Sequence, residues 1–373
     1  MEHRTYPIRK VLVLAPPMSG IGGVQNYTRA LVRGLQTILG DQAVRLCAVP
    51  AEPVAQADGT MALSAATKVR FLASAFIQVF RGRPDLVICA HIGMAPAARL
   101  IRKVTGIPFW QCLHGIEVWR ALSPSKERAL KSAQRYIALT RFSLQATVDQ
   151  HQLGEVSAVM LPPPLPEGAS ERPGCVSPAA FEKPVVLTVG RLAASERYKG
   201  HDAMLDAWSS VLSKVPEAVY WIVGDGDDRT RLESRADELG IAGSVRFFGA
   251  LSGRELNRCY DLCAVFAMPA CTELDPQAPR GEGFGIVYLE AMARGKPVLG
   301  PNTGAPPEFI RSGEDGLLVN PGEPREIAEA LVYLLKRPVE TRRMGEQARD
   351  WVQAEFSFER FCERLRNALR TDL

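Results

Sequence analysis

Short apolar runs alternate with helical patterns along nearly the whole chain, and this alternation restricts the possible folds more than any other feature. The apolar runs that predict strands in the first half are residues 10–15, 43–49, 85–90, 109–113 and 135–139. The helical patterns between them cover residues 24–39, 68–80 and 95–104. Strands that alternate with helices are typical of βαβ units, which form parallel sheets.

The second half repeats the alternation with an unrelated sequence. Its predicted strands are residues 185–189, 219–223, 245–248, 264–268 and 297–299. Its predicted helices are residues 201–212, 229–239, 253–260, 284–294 and 324–335. We therefore predict an α/β protein made of two Rossmann-like, doubly wound parallel-sheet domains.

A proline-rich segment separates the two halves. Residues 161–184 contain seven prolines, and proline cannot continue a helix or a central strand. At 373 residues the chain also exceeds the usual size of a single core. We predict an N-terminal domain at residues 1–165, a linker at 166–184, a C-terminal domain at 185–355 and a last helix at 356–373, which is a candidate to cross back to the first domain.

The sequence shows no sign of export or of a membrane span. The most apolar stretch, residues 71–80, is too short to cross a bilayer and has lysine or arginine on both sides, so we predict a buried or interfacial helix. The first residues lack the apolar core and cleavage site of a signal peptide, which predicts a cytoplasmic protein. The eight cysteines contain no Cys-x-x-Cys pair and are interpreted as reduced thiols rather than metal ligands or disulfides.

Charge is divided unevenly between the halves. Residues 1–172 contain 20 lysines and arginines against 11 acidic residues, whereas residues 173–373 contain 25 against 30. A basic half attracts phosphates or anionic lipid headgroups, so the inner membrane face is a candidate partner, with a merely solvated surface as the alternative. No nucleic-acid partner is expected.

Two motifs in the first half follow predicted strands, at the edge where open α/β sheets bind ligands. Gly22 and Gly23 come between the first strand and its helix, where glycines allow backbone amides to approach an anion; the alternative is a tight structural turn. His114, beside Gly115, follows the fourth strand and could donate to or accept from a sugar hydroxyl or a leaving oxygen, although a lone histidine is often structural.

The second half places two cations after its first strand. Arg191 follows Gly190, and Lys199 precedes Gly200 and the next helix. A guanidinium and an ammonium on one loop suit a diphosphate and would stabilise the negative charge that develops on it as it departs. The alternative is a pair of solvated surface cations. Because we expect the end of the strand to be buried, this alternative applies less to Arg191 than to Lys199.

The segment with the most specific signal is residues 282–290. Gly283 and Gly285 free the backbone at the start of a helix, whose N-terminus would point at a bound ligand. Glu282 in the loop could hold sugar hydroxyls, and Glu290 in the helix could accept hydrogen bonds from a ribose diol. The apolar neighbours of Glu290 argue against a merely solvated glutamate.

These residues resemble the motifs of the retaining glycosyltransferases of family 4, which have the GT-B fold. The resemblance rests on Glu-x7-Glu around Gly-Phe-Gly at 282–290, on Gly-Arg and Lys-Gly at 190–200, and on Gly22-Gly23 and His114-Gly115 in the expected order. It covers essentially the whole chain. It implies two domains that face each other across a cleft, with a GDP- or UDP-linked sugar as donor and a saccharide or polyprenyl-linked acceptor.

The resemblance also implies individual roles. Arg191 and Lys199 match the diphosphate ligands, with Gly22 and Gly23 in backbone contact with the same group from the opposite domain. Glu282 matches the donor-sugar ligand, Glu290 the ribose ligand and His114 the cleft histidine near the reacting carbon. The positions implied to offer backbone groups to the donor are Gly283, Phe284, Gly285, Ile286, Val287 and, for the base, Leu251.

Members of this family are thought to retain the anomeric configuration by same-face attack assisted by the leaving phosphate, without a covalent nucleophile. No cofactor or metal is expected, because the cations neutralise the diphosphate. One departure concerns residues 302–308, where Ala305 stands in place of a second glycine found in many relatives. Another is the long loop at 272–281, with Arg280 just before Glu282, which could shape donor or acceptor choice.

Two other functions remain open at the level of sequence. A nucleotide-sugar 2-epimerase shares the architecture and would turn over its substrate without an acceptor. A non-catalytic subunit that binds nucleotide sugars would differ by a broken Glu282 or Arg191 site, and here both residues are present.

Overall fold

Two six-stranded sheets, one in each of two units of the chain, form the framework of the protein. The computed structural model describes residues 8–19, 22–50, 64–166, 168–169 and 183–370. The first unit consists of Met1–Pro164 and Phe358–Leu373, and the second of Leu165–Ser357. The predicted linker at 166–184 lies mostly outside the described residues, as does the N-terminal segment on which the absence of a signal peptide was inferred.

The first unit has the strand order β2-β1-β3-β4-β5-β6, with every pair of neighbours parallel. Its strands are β1 (Val11–Ala15), β2 (Val44–Ala48), β3 (Leu86–Cys89), β4 (Phe109–Leu113), β5 (Arg135–Ala138) and β6 (Ala158–Met160). Its helices before the second unit are α1 (Gly23–Leu39), α2 (Ala65–Gly82), α3 (Ala95–Thr105), α4 (Ile116–Trp119), α5 (Pro124–Leu130) and α6 (Arg141–His151).

The second unit has the order β12-β11-β10-β7-β8-β9, again all parallel. Its strands are β7 (Val185–Val189), β8 (Val219–Val223), β9 (Val245–Phe247), β10 (Val265–Ala267), β11 (Val298–Pro301) and β12 (Gly316–Val319). Its helices are α7 (His201–Leu212), α8 (Arg229–Glu238), α9 (Gly253–Leu262), α10 (Ile286–Ala293), α11 (Pro324–Lys336) and α12 (Pro338–Glu355). The predicted α/β class with two doubly wound parallel sheets is confirmed.

The central strands are buried on both faces, which explains their near-continuous apolar sequences. All five residues of β1 and all five of β7 are buried, because helices cover both sides of each sheet. In both sheets the chain starts at an internal strand and winds outward in two directions, so each has a switch point beside its first strand: β1 with β3, and β7 with β10.

The last helix, α13 (Phe358–Arg370), belongs to the first unit although it follows the second in sequence. Phe361 is buried against α1, where its ring lies 6.2 Å from that of Tyr27 and close to Gly34. The Arg135 guanidinium donates to the carbonyl of Ala368 at 3.0 Å and thereby ties the helix to β5. Packing and a hydrogen bond therefore hold α13 on the first unit.

Several elements had no sequence prediction. The short strands β6 and β12 and the helices α4, α5, α6 and α12 were missed. Helix α12 illustrates the reason: its buried face is built largely from small or polar residues, including Thr341, Gly345 and Ala348, so its apolar periodicity is weak. Gly345 packs so closely on the carbonyl of Gly295 that a Cβ there would lie 2.0 Å from the oxygen.

The apolar stretch at residues 71–80 lies inside α2. Within the ranges given above, no helix is both long enough and apolar enough to cross a membrane. The seven cysteines in those ranges are all free thiols.

Candidate functional site

The switch point of the second sheet brings together segments that are distant in sequence. Strands β7 and β10 are hydrogen-bonded neighbours, so the loops that follow them leave the same edge of the sheet side by side. The loop after β7 contains Arg191 and Lys199, and the loop after β10 leads to Glu282 and the glycines before α10. Arg191, Lys199, Glu282 and the glycines before α10 therefore converge on one place.

Lys199 and Glu282 form a buried ion pair at this point. The Lys199 Nζ donates to the Glu282 Oε1 at 2.6 Å, and the two side chains are only 14% and 15% exposed. Burial lowers the pKa of the Lys199 ammonium, but the carboxylates of Glu282 and Glu196 outweigh burial, so the net effect is a raised pKa. A fixed, protonated ammonium therefore lies at the switch point at neutral pH.

Arg191 differs from its predicted environment. Its side chain is 78% exposed, so the expectation that a strand end would bury Arg191 more than Lys199 was wrong. The guanidinium is exposed to solvent, and its only carboxylate partner among the described residues is Glu196.

Glu196 is a site residue that the sequence analysis missed. It pairs with Arg191, and its Oε2 lies 3.7 Å from the Lys199 Nζ. That oxygen is buried and has no hydrogen-bond partner within the described part of the chain. The available signal was the single acidic residue among the basic residues of 191–199, since a carboxylate between two cations can pair with both.

Gly200 fixes the position of Lys199. Its φ of +85° is a left-handed conformation that side chains disfavour, and a Cβ at this position would lie 2.3 Å from the carbonyl oxygen of Pro269, which follows β10. The Lys199 loop can therefore approach the β10 loop only with glycine here.

The backbone before α10 is where the sequence predicts a cradle for the donor, and the bounds of the helix differ slightly from the prediction. The helix begins at Ile286 rather than at 284, with Gly285 as its N-cap at φ +89°. Phe284 is held in the loop by its ring, which stacks on Phe309 at a centroid distance of 4.6 Å. No side chain caps the first amides of the helix, so the amides of Ile286 and Val287 lie where a helix N-terminus attracts an anion.

Glu290 lies in the second turn of α10 and is tied to a neighbouring helix. The Tyr260 hydroxyl of α9 donates to the Glu290 Oε2 at 2.7 Å. Burial raises the pKa of the Glu290 carboxyl, whereas the Tyr260 hydrogen bond and Arg294 lower it less. Tyr260 was not predicted as a site residue; it orients the carboxylate and leaves the second oxygen as a further acceptor.

The loop at 272–281 is closed at its base. The amide of Glu273 donates to the carbonyl of Arg280, and the reverse bond has the same length, 2.8 Å. Thr272 packs between Gly281 and Gly304, both at positive φ, where a Cβ would lie within 2.9 Å of its side chain.

Ala305 has φ −76°, so its turn needs glycine only at 304, and the departure from the family pattern causes no backbone strain. Leu251 is half-buried after β9.

In the first unit, Gly22 and Gly23 lie at the start of α1, directly after β1. Gly22 is extended, and Gly23 opens the helix without a side-chain cap. A Cβ added at Gly23 would have no described atom within 4 Å. Space beside the first amides of α1 is therefore compatible with a bound anion, and the diphosphate contact of these glycines stays a prediction.

His114 lies at the carboxyl edge of β4, beside the switch point of the first sheet. Its Nε2 is 2.7 Å from the carbonyl oxygen of Ala90, which can only accept, so Nε2 bears the proton. The ring packs edge-on against Tyr27 at 5.2 Å, and its amide donates to the Glu117 carboxylate. Because Nε2 is engaged as a donor, Nδ1 is the ring nitrogen that remains for a ligand.

Metal ligands do not cluster in the described ranges: no group of three or more histidine, cysteine or acidic side chains is arranged to hold an ion. Independence from metal and cofactors stays a prediction.

Most of the second unit is similar in sequence to one described family. Residues 176–351 match the family model described as "Glycosyl transferases group 1". Over 196 residues the chain is 34% identical to the GDP-mannose-dependent alpha-(1-6)-phosphatidylinositol monomannoside mannosyltransferase of Mycobacterium tuberculosis, a match of 51% of this chain and 48% of the relative. It is 30% identical to the lipopolysaccharide core biosynthesis glycosyltransferase LpsE of Rhizobium meliloti, covering 48% and 47%. These matches span about half the length of either relative.

Comparison with solved structures covers nearly the whole chain. A glycosyltransferase of Rickettsia africae superposes with a TM-score of 0.77 at 17% identity, covering 97% of this chain and 98% of its own. The Anabaena protein Alr3699/HepE, solved in complex with UDP, gives a TM-score of 0.73 at 18% identity, with coverage of 96% and 99%. At such identities the likeness establishes the fold, which is GT-B.

We predict that Gly200→Ala disrupts the site through the backbone. The new Cβ would collide with Pro269 in a conformation unfavourable to alanine, so we expect the free energy of unfolding to fall by about 2 kcal/mol or more. Urea unfolding measures this change. Gly243→Ala is the matched control, because a Cβ there meets no described atom, and equal stability of the two variants would refute the steric argument.

We also predict an acid-sensitive stability that depends on His201, the first residue of α7. Burial, followed by Lys199, lowers the His201 pKa to about 4, and its Nε2 is buried without a partner within the described ranges. Between about pH 4 and the unfolded pKa near 6.5, the unfolded chain binds more protons, so stability falls as pH falls. We expect His201→Leu to remove up to about 3 kcal/mol of this pH dependence. Identical slopes of unfolding free energy against pH in wild type and variant would contradict it.

Proposed function

We propose that this chain is a family 4-like GT-B glycosyltransferase, which moves a hexose from a nucleoside diphosphate sugar to a saccharide or lipid-linked acceptor. The observation that supports this most directly is the Lys199–Glu282 pair at the β7–β10 switch point, beside the uncapped start of α10. A buried ion pair is seldom kept for stability alone, since apolar residues of similar size often stabilise as much. A ligand that binds both Lys199 and Glu282 would explain why this ion pair is present.

In the proposed donor complex, the diphosphate replaces the glutamates as partner of the cations. Lys199 is already desolvated and charged, so it can bind a phosphate oxygen with little reorganisation. Arg191 moves from Glu196 to the outer phosphate oxygens, which its planar fork can bind in pairs. The amides at the start of α10 face the same anion.

Release of Lys199 leaves Glu282 with two acceptor oxygens. We propose that these bind hydroxyls of the donor sugar, while Glu290, oriented by Tyr260, accepts from the ribose diol. Leu251 contributes backbone groups to the base. The glutamates thus act as ligands of the donor, not as an acid–base pair of the kind that glycosidases use.

The proposed transfer retains the anomeric configuration. The acceptor hydroxyl attacks the anomeric carbon on the face from which the nucleoside diphosphate leaves, the carbon–oxygen bond to the β-phosphate breaks, and the hydroxyl proton passes to the departing phosphate. Lys199 and Arg191 stabilise the charge that grows on this group, which removes the need for a metal ion. His114, with Nδ1 as acceptor, is proposed to position a sugar hydroxyl.

Only the similar proteins indicate which donor and acceptor to propose for this chain. The mycobacterial relative is a GDP-mannose-dependent enzyme acting on a phosphatidylinositol mannoside, and LpsE acts in lipopolysaccharide core synthesis. We propose a mannose- or glucose-like donor linked to GDP or UDP, and an acceptor in glycolipid or cell-surface polysaccharide assembly. A thermal-shift panel of nucleotide sugars identifies the donor, since selective binding stabilises the folded state.

We predict that variants at the three charged positions separate catalysis from stability. Arg191→Met should lower kcat/KM at least a hundredfold with little loss of stability, because the side chain is exposed. Lys199→Met should lower both, because it leaves Glu282 buried without its cation, at a cost of about 3–5 kcal/mol. Glu282→Gln should abolish transfer but keep nucleoside diphosphate binding.

Arg325→Met is the matched control for Arg191→Met, since it is an exposed arginine paired with one glutamate on α11. Near-normal transfer by Arg191→Met and Glu282→Gln would refute the assigned site.

Proton NMR of the first product decides between retention and inversion of the anomeric configuration. Turnover of a UDP-sugar without any acceptor would identify the 2-epimerase instead, and donor binding without turnover of any kind would identify a binding subunit.

A further inference from the structure

Helix α2 of the first unit is apolar on two opposite faces. Its buried face consists of Thr67, Phe71, Ala75 and Val79, spaced four residues apart. The three apolar members of this set belong to the core of the first unit. This face accounts for the docking of the helix on its sheet.

The opposite face is also apolar, although it is exposed to solvent. Val69, Ile77 and Phe80 are 67%, 51% and 63% exposed, and Ala73 lies between them at the same helical spacing. The ring of Phe76 stacks on that of Phe80 at 6.0 Å and extends the surface. We refer to Val69, Ala73, Ile77 and Phe80 as the α2 stripe.

A surface helix ordinarily turns charged side chains to water, as α8 does in the second unit with Arg229, Glu233 and Arg235. Residues 71–80 contain no charged residue, and residues 64–84 contain no acidic one. Three of the ten most exposed large apolar side chains in the described ranges belong to the α2 stripe. A concentration of this kind marks an interaction surface rather than a solvated helix.

Cations border both ends of the α2 stripe. Lys68 and Arg70 lie at its start and Arg81 and Arg83 at its end, and none of the four forms an ion pair with a described residue. Beside the last turn, a pocket of about 70 Å³ is lined by Lys10, Arg45 and Arg81 together with Gln42 and Gln78. Of the nearby carboxylates, Asp85 accepts hydrogen bonds from the amides of Arg9 and Lys10, while Asp41 is exposed.

We propose that the α2 stripe docks on the surface of an anionic phospholipid bilayer. The apolar side chains enter the boundary between headgroups and acyl chains, the cations bind lipid phosphates, and the pocket of Lys10, Arg45 and Arg81 holds one phosphate of a headgroup. The chemistry of the surface selects this partner, because a protein partner of ordinary composition would not require a rim of cations without any carboxylate in the helix. The inference deepens the proposed function by naming the surface that meets a membrane-borne acceptor, yet lipid binding itself requires neither donor nor catalysis.

Vesicle co-sedimentation of the full chain tests the proposal. With vesicles of phosphatidylglycerol and phosphatidylcholine we expect binding that weakens as salt rises, and with phosphatidylcholine alone at least tenfold weaker binding. The double variant Ile77→Glu/Phe80→Glu should lose at least tenfold in affinity for the anionic vesicles. The double variant Arg45→Glu/Arg81→Glu should lose affinity and most of the salt dependence.

The matched control is Val339→Glu/Arg342→Glu, which changes an 83% exposed valine and an exposed arginine on α12 of the second unit. It should bind vesicles as wild type does. Transfer to a water-soluble acceptor reports whether the α2 variants are folded and keeps this proposal separate from the proposed reaction: normal transfer with lost vesicle binding is the expected combination.

Three outcomes would overturn the proposal. Equal vesicle binding by wild type, Ile77→Glu/Phe80→Glu and Arg45→Glu/Arg81→Glu would exclude the α2 stripe and its cations as the membrane-binding surface. A concentration-dependent dimer that Ile77→Glu/Phe80→Glu dissociates, without vesicle binding by wild type, would make the stripe a contact between copies of the chain. A thermal shift by inorganic phosphate that Arg45→Glu/Arg81→Glu abolishes, without vesicle binding by wild type, would assign the pocket to a soluble anion.

Discussion

Parallel strands must be covered on both faces, and the rest of this structure depends on that requirement. Each strand is followed by a crossing segment, so all carboxyl ends emerge at one edge of each sheet. In the second unit this brings the loop after β7 beside the loop after β10, although Lys199 and Glu282 are 83 residues apart. Site residues are therefore gathered by strand order rather than by closeness in sequence.

The electrostatics of the site follow from the same geometry. The largely buried Lys199 needs a carboxylate partner, which Glu282 supplies, whereas the exposed Arg191 pairs with Glu196 at the edge of the site. These carboxylates hold the cations where an anionic ligand would need them. The uncapped start of α10 adds partial positive charge nearby, and Tyr260 fixes the carboxylate of Glu290 in its second turn. Each charge thus has a partner that a donor could replace or share.

Helix α2 departs from the usual pattern of a surface helix. Its buried face satisfies the first sheet, as required, but its outer face keeps Val69, Ile77 and Phe80 in contact with water. Such exposure is unfavourable unless something else covers it, and the cations around it favour a negatively charged surface. The first half has excess positive charge over 172 residues, and part of this charge lies at the ends of this helix and in the adjacent pocket.

The sequence by itself determined the class of the fold and the order of its motifs. The strand bounds at Val185–Val189 and Val219–Val223 and the helix His201–Leu212 agree residue for residue with prediction, because β-branched runs and a strong apolar period are local properties. Helix α12 and strand β12 escaped prediction, since small residues and glycine pack well yet give no periodic signal. Only the tertiary structure decided that Lys199 is buried while Arg191 is exposed, that Glu196 and Tyr260 hold site residues, and that one face of α2 is left bare. Burial and pairing depend on which distant segments meet, and no local pattern contains that information.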